Sequence, residues 1–233
     1  MDPTDALPPP PEPRAHSLSP RGLTIAGWVA FIVAGAIFFN LAWDVASHTE
    51  IVVLDAKMAT WLHAHGTPRL TNFMILVTTL NSIAGTSIMA VLFAVALARL
   101  REWYWLLTLT LAVGGGMLLN VVLKDAFARA RPHFDDPWVT LGSYSFPSGH
   151  TAGATLFYGV LAAFLVSRTN EWHARVACVI AAVLMVVLVA FSRMYLGAHY
   201  LSDVAAAACS STVWLVLCLS GVHGIVRRRL GKK

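Results

Sequence analysis

Phe146-Pro147-Ser148-Gly149-His150 closes a long polar connection and opens an apolar run that reaches Val166 without one charged residue. The same kind of junction recurs downstream. The apolar run 176–191 ends at Ser192-Arg193, and the run 201–222 opens beside His199-Tyr200-Leu201-Ser202-Asp203. Upstream, the run 103–123 gives way to Lys124 and then to Arg129, Arg131 and Pro132. Each run is close to the roughly 20 residues that carry a helix across about 30 Å of hydrocarbon. Charged side chains are costly inside hydrocarbon and mark function where they cluster. Polar blocks at the ends of apolar runs therefore read as one site assembled from distant segments.

Composition points the same way. The 233 residues are 57% hydrophobic and 12% charged, against roughly 25% charged in ordinary soluble domains. A soluble fold would lack the polar surface to cover such a core. The expected architecture is all-α and polytopic, with six transmembrane helices at about 23–43, 70–98, 103–123, 149–166, 176–191 and 201–222. Between the first and second spans, residues 51–63 are too short and too charged to cross. Ile51, Leu54, Met58, Trp61 and Leu62 recur there at helical spacing, which predicts a helix lying along the interface. Residues 1–21 carry the proline run Pro8 to Pro11 and both signs of charge, and read as a disordered tail. Residues 224–233 form a basic tail, leaving 22–223 as the membrane domain. Cys178, Cys209 and Cys218 all lie in apolar runs, without metal spacing or a reason to form a disulfide.

The net charge of +5 does not mark a nucleic-acid surface, because the cations fall in short clusters between spans. Six spans put both termini on one side. Of the 17 Lys and Arg, 11 fall on that side, and Lys57, Arg69, Lys124, Arg129, Arg131 and Arg193 fall on the other. By the positive-inside rule both termini are cytoplasmic, and all the polar blocks face outward.

These blocks suit phosphoryl chemistry. Lys124 offers a point charge, and Arg131 and Arg193 offer planar donor forks for phosphoryl oxygens. Ser148 and Gly149 precede a helix, so their N–H groups are expected to meet an anion at its N-terminus. His199 and Asp203 are four apart and share a helix face, which lets the carboxylate hold one ring nitrogen. That spacing favours His199 over His150 as a nucleophile, without deciding it. Asn120, Arg129 and Ser192 stand beside these residues as candidate support. Asn40, Asn81 and Ser82 read as helix-contact residues, and His63 and His65 as polar surface rather than a metal pair. Gly114-Gly115-Gly116 predicts close helix approach and a kink.

The blocks Lys124-x6-Arg131-Pro132, Pro147-Ser148-Gly149-His150 and Ser192-Arg193-x5-His199-x3-Asp203 together resemble the three-part signature of the type 2 phosphatidic acid phosphatases. These are membrane lipid phosphatases related to vanadium haloperoxidases. The resemblance implies His199 as nucleophile forming a phosphohistidine, His150 as general acid and then base, and Asp203 as the orienting carboxylate. It implies phosphate binding by Lys124, Arg131, Ser148, Gly149 and Arg193, with no metal and no cofactor. It also implies a bacterial cytoplasmic-membrane location, with a lipid phosphate or pyrophosphate from the bilayer as substrate and no nucleic acid. Undecaprenyl pyrophosphate, phosphatidylglycerol phosphate, phosphatidate and lipid A phosphates are the family's substrates. A lipid head-group transferase with the same phosphohistidine step, or an anion transporter, are the competing readings. The sequence carries no signal for an oligomeric state.

Overall fold

The computed structural model describes residues 20–139 and 141–230; the proline-rich segment 1–19 lies outside them. The described chain is helical: α1 (Pro20–Ala46), α2 (Glu50–Ala64), α3 (Pro68–Leu80), α4 (Ile83–Arg99), α5 (Trp103–Leu109), a π-helical segment (Thr110–Gly115), α6 (Gly116–Phe127), α7 (Gly149–Arg168), α8 (Trp172–Tyr195) and α9 (Leu201–Leu230). Five helical stretches are long and apolar enough to span a membrane, and α3 with α4 makes a sixth if the bent pair counts as one. The six-span expectation holds.

α7 is the centre of the bundle. Half of its span is buried, against 6% of α8's. Small residues explain this, since Ala152, Gly153, Ala154 and Ala162 let neighbouring helices approach its axis. Leu97 of α4, Leu109 and Ala112 of the third span, Phe157 and Val160 of α7 and Cys218 of α9 form the main apolar cluster.

The second span is broken where one straight helix over 70–98 was expected. α3 and α4 meet at 49°. Asn81 caps α3, and Ser82 caps α4 by accepting from the Gly85 N–H at 3.1 Å. Asn81 donates to the Val77 carbonyl and accepts from the Tyr158 hydroxyl of α7 at 3.0 Å. In hydrocarbon a break persists only when its backbone groups find partners, and these side chains supply them. A Cβ on Gly85 would sit 2.2 Å from the Leu80 carbonyl oxygen, so the bend depends on glycine there.

The glycine triplet of the third span produces a π-helical segment. Gly115 and Gly116 let Trp214 of α9 lie against the backbone, and the Trp214 Nε1–H donates to the Leu111 carbonyl at 3.0 Å. Close approach was expected there; in place of the expected kink the span carries this π-helical segment.

α2 forms the helix expected between the first and second spans. Asp55, Ala59 and Leu62 point inward, with Leu62 against Met194 and Val204. Leu54, Met58 and Trp61 are exposed, as the outer apolar side of an amphipathic helix. The inward stripe therefore carries a carboxylate. α9 continues past residue 222 to Leu230, so Arg227 to Arg229 extend a helix.

Candidate active site

Alternating span direction brings the C-terminal ends of α6 and α8 to the N-terminal starts of α7 and α9. The connection after α6 closes over this end. It begins at Ala128, whose left-handed backbone (φ 45) terminates α6 and turns Arg129 inward.

Lys124 lies in the last turn of α6. Its Nζ donates to the Tyr144 carbonyl at 2.6 Å and more distantly to Ser145 O. Arg131 binds the same segment, donating to Ser143 O, Ser143 Oγ and Tyr144 O, and also to Ala198 O at 2.6 Å. Neutral carbonyls orient these cations without cancelling their charge.

Arg193 is the most telling of the three. It ends α8, is 2% exposed, and donates Nη1 to the Thr78 hydroxyl. Its Nε and Nη2 are buried without a partner among the described residues. An unpaired buried cation is strongly unfavourable unless a counter-ion arrives.

The turn from Arg193 to His199 requires Gly197, which takes φ +68 beneath the Phe134 ring. The Ala198 and His199 N–H groups both return to the Arg193 carbonyl, fixing the histidine relative to the arginine. His199 is 2% exposed. Its Nε2 lies 3.1 Å from Arg131 Nη1, and its Nδ1 lies 3.4 Å from Asp203 Oδ2. A guanidinium only donates, so Nε2 carries the lone pair and the Nδ1 proton faces the carboxylate. Burial outweighs the carboxylate and pushes His199 down to about 4, which keeps the ring neutral at pH 7.

Asp203 is fully buried and accepts from the Ser145 hydroxyl and from the Tyr200 N–H at 2.8 Å. Arg129 Nη1 reaches its other oxygen at 2.6 Å. His150, in the first turn of α7, is half-buried, with Arg193, Arg131 and Lys124 as its cationic neighbours. Gly149 packs beside Lys124, since a Cβ there would lie 4.0 Å from Lys124 Cε and 3.5 Å from Asn120 Oδ1.

The structure defines the surroundings of four candidate residues more closely. Ser148 does not offer its N–H to the open site, because that group donates to the Asp203 carbonyl at 3.1 Å. Its hydroxyl caps α7, accepting from Thr151. Ser192 bonds back to Val189 O within its own helix and takes no part in the site. Asn120 ties α6 to the Pro147 carbonyl at 3.4 Å, so it supports the loop rather than the lysine. Arg129, a candidate supporting residue, is a largely buried link between Asp203 and Asp55.

Sequence reasoning missed Ser145, Thr78 and Asp55. Asp55 alone left a signal, as a carboxylate i+4 from Ile51 and i−7 from Leu62 on an amphipathic helix. His63 is also more than polar surface. It stacks on Phe134 at 4.1 Å and bonds Asp136 at 2.9 Å, and this hydrogen bond holds the exposed Asp136 carboxyl below its usual range. No group of three or more His, Cys, Asp or Glu able to hold a metal occurs among the described residues.

Comparison with known proteins places this geometry in context. The family model described as the PAP2 superfamily matches residues 103–227. Phosphatidylglycerophosphatase B of Bacillus subtilis (strain 168) is 44% identical over 106 residues, covering 45% of this chain and 51% of that protein. Decaprenylphosphoryl-5-phosphoribose phosphatase of Mycolicibacterium smegmatis is 36% identical over 114 residues, covering 46% and 53%. The chain thus spans about half the length of the curated relatives it matches. The crystal structure of a transmembrane PAP2 type phosphatidylglycerolphosphate phosphatase from Bacillus subtilis superposes with TM-score 0.74 at 31% identity, covering 85% of this chain and 96% of that one.

Proposed function

The chain belongs to the PAP2 superfamily, and from that premise we propose that it hydrolyses a lipid phosphate monoester through a phosphohistidine on His199. The observation that carries this reading is Arg193, a buried cation with two donors unspent. With Lys124 and Arg131 bound only to neutral groups, the site has an excess of positive charge, and a phosphate dianion satisfies it.

The geometry supports the following steps. Phosphate enters with its oxygens toward Arg193, Arg131, Lys124 and the first-turn N–H groups of Gly149 and His150. With the Ser148 N–H engaged, these two are the open amides at the start of α7. Arg131 exchanges the His199 Nε2 and nearby carbonyls for phosphoryl oxygens, leaving the Nε2 lone pair facing phosphorus. The Nε2–P bond forms as the P–O bond to the lipid breaks, and His150 protonates the departing oxygen. Positive charge builds on the His199 ring, and the 3.4 Å approach of Asp203 to Nδ1 tightens to meet it. Water, deprotonated by His150, then attacks phosphorus and returns His199 to its neutral form. Lys124, Arg131 and Arg193 supply the compensating charge, so we propose that the reaction is metal-independent.

A lipid substrate suits the exposed apolar sides of the surrounding spans, and both relatives named above are phosphatases of lipid-linked phosphate monoesters by name. The test is inorganic phosphate release from phosphatidylglycerol phosphate, phosphatidate and a polyprenyl phosphate in detergent with EDTA present. Sustained release from at least one is expected. Complete loss in EDTA with recovery in Mg²⁺ contradicts metal independence, and no release under either condition contradicts the phosphatase reading.

A further inference from the structure

Asp55 belongs to none of the three signature blocks, yet it is wholly buried and fully engaged. It accepts the Ser202 N–H at 3.0 Å, the Ser202 hydroxyl, and Arg129 Nη2 at 2.8 Å. Arg129 extends the chain. Its Nη1 reaches Asp203 Oδ1 at 2.6 Å and Ser202 Oγ at 2.7 Å, and its plane lies 4.4 Å from the centre of the Tyr200 ring. The other oxygen of Asp203 faces His199. Charge therefore alternates along Asp55, Arg129 and Asp203, a largely buried row that ends at the neutral His199 ring.

The order in that row matters. Arg129 alone beside Asp203 would form a closed ion pair and neutralise the one carboxylate that faces His199. Asp55 shares the guanidinium, so the Arg129–Asp55 pair is neutral and the charge of Asp203 is left for the imidazole. Buried charges interact strongly because little water screens them, and removing one partner leaves the others uncompensated. Asp55 also grips the first turn of α9 through both groups of Ser202, which sets Asp203 relative to α2.

We propose that Asp55 is a positioning residue for the reaction at His199, acting through Arg129 on Asp203. The inference rests on the proposed phosphatase reaction and adds to it a residue outside the signature. It distinguishes the α2 carboxylate from a simple anchor, because an anchor would tolerate loss of charge wherever the fold is kept.

The experiment uses the full chain in detergent with phosphatidylglycerol phosphate, comparing wild type, Asp55→Asn, Arg129→Gln and the double variant. Steady-state turnover, the rate of the phosphoenzyme burst and the melting temperature are read for each. Asp55→Asn is expected to lower the burst rate and kcat about tenfold or more, with KM within about twofold, since Lys124, Arg131 and Arg193 are untouched. The double variant removes both charges and frees Asp203 again, so it is expected to recover most of the lost burst rate relative to Asp55→Asn. Wild-type burst rate in Asp55→Asn overturns the proposal. So does a fall in kcat that only follows a fall in melting temperature and is not recovered in the double variant. Absence of turnover in wild type is a failure of the phosphatase reading, and the proposal falls with it.

Discussion

At the scale of single residues, the site depends on how charge is shared among a few buried groups. His199 and Asp203 were legible because a helix places i and i+4 on one face, and because a histidine and an aspartate at a span end are conspicuous. Their tautomer was not legible, since it depends on Arg131 arriving from a distant loop. Nor was the unsatisfied state of Arg193, which follows from Thr78 being its only partner on α3. Ser148 was misread because nothing local shows that its N–H would meet the Asp203 carbonyl, a contact between residues far apart in the chain. A pH profile tests the residue-level account. His199 must be neutral to attack, and burial holds it near 4, below its ordinary value. The acid limb of kcat/KM, after division by the substrate's own ionisation near pH 6, is expected well below pH 6.5. Asp203→Asn removes a contribution that raises the ring's pKa, so its limb moves lower still, while kcat falls by about 10²- to 10⁴-fold. A wild-type limb at or above pH 6.5 contradicts the neutral, buried nucleophile.

At the scale of elements, apolar length and turn chemistry made five spans readable with their approximate ends. The break between α3 and α4 was hidden because Asn81 and Ser82 interrupt an otherwise apolar stretch only briefly. Either residue is tolerated inside a straight membrane helix when a neighbour bonds it, and here the pair became two caps. The deciding contact is Tyr158 on α7, which no local pattern reveals. α2 was located correctly from its helical spacing, but that spacing did not say which of its residues turn inward. Leu54, Met58 and Trp61 form its exposed apolar side, while Asp55 lies on the buried one. Two glycines in the spans give a paired prediction. Gly85→Ala puts a methyl 2.2 Å from the Leu80 carbonyl and is expected to destabilise the fold by about 1–3 kcal/mol. Gly114→Ala meets nothing within 4 Å and is expected to be neutral or stabilising by up to about 1 kcal/mol. Thermal unfolding in detergent, followed by tryptophan fluorescence, compares them. Equal stability of the two variants contradicts the account of the bend.

At the scale of the whole molecule, an apolar bundle delivers four span ends to one place. The small face of α7 lets α4, α6, α8 and α9 close around it, which sets Lys124, His150, Arg193 and His199 at one end of the bundle. The signature blocks and their order were enough to group these residues from sequence. What could not be read was the second layer beneath them, in which α2 reaches Asp203 through Arg129. That layer joins residues from three segments, and its partners become visible only when the bundle is assembled. The central claim is that this assembly passes a phosphoryl group through His199. Its most direct test is rapid-quench trapping of the 233-residue chain with ³²P-labelled phosphatidylglycerol phosphate, the denatured sample held at alkaline pH to preserve phosphohistidine and then digested and mapped. The account predicts a burst of label on the peptide containing His199 that is absent from His199→Ala, which also fails to turn over. Label on another residue, or turnover by His199→Ala at near wild-type rate, contradicts it.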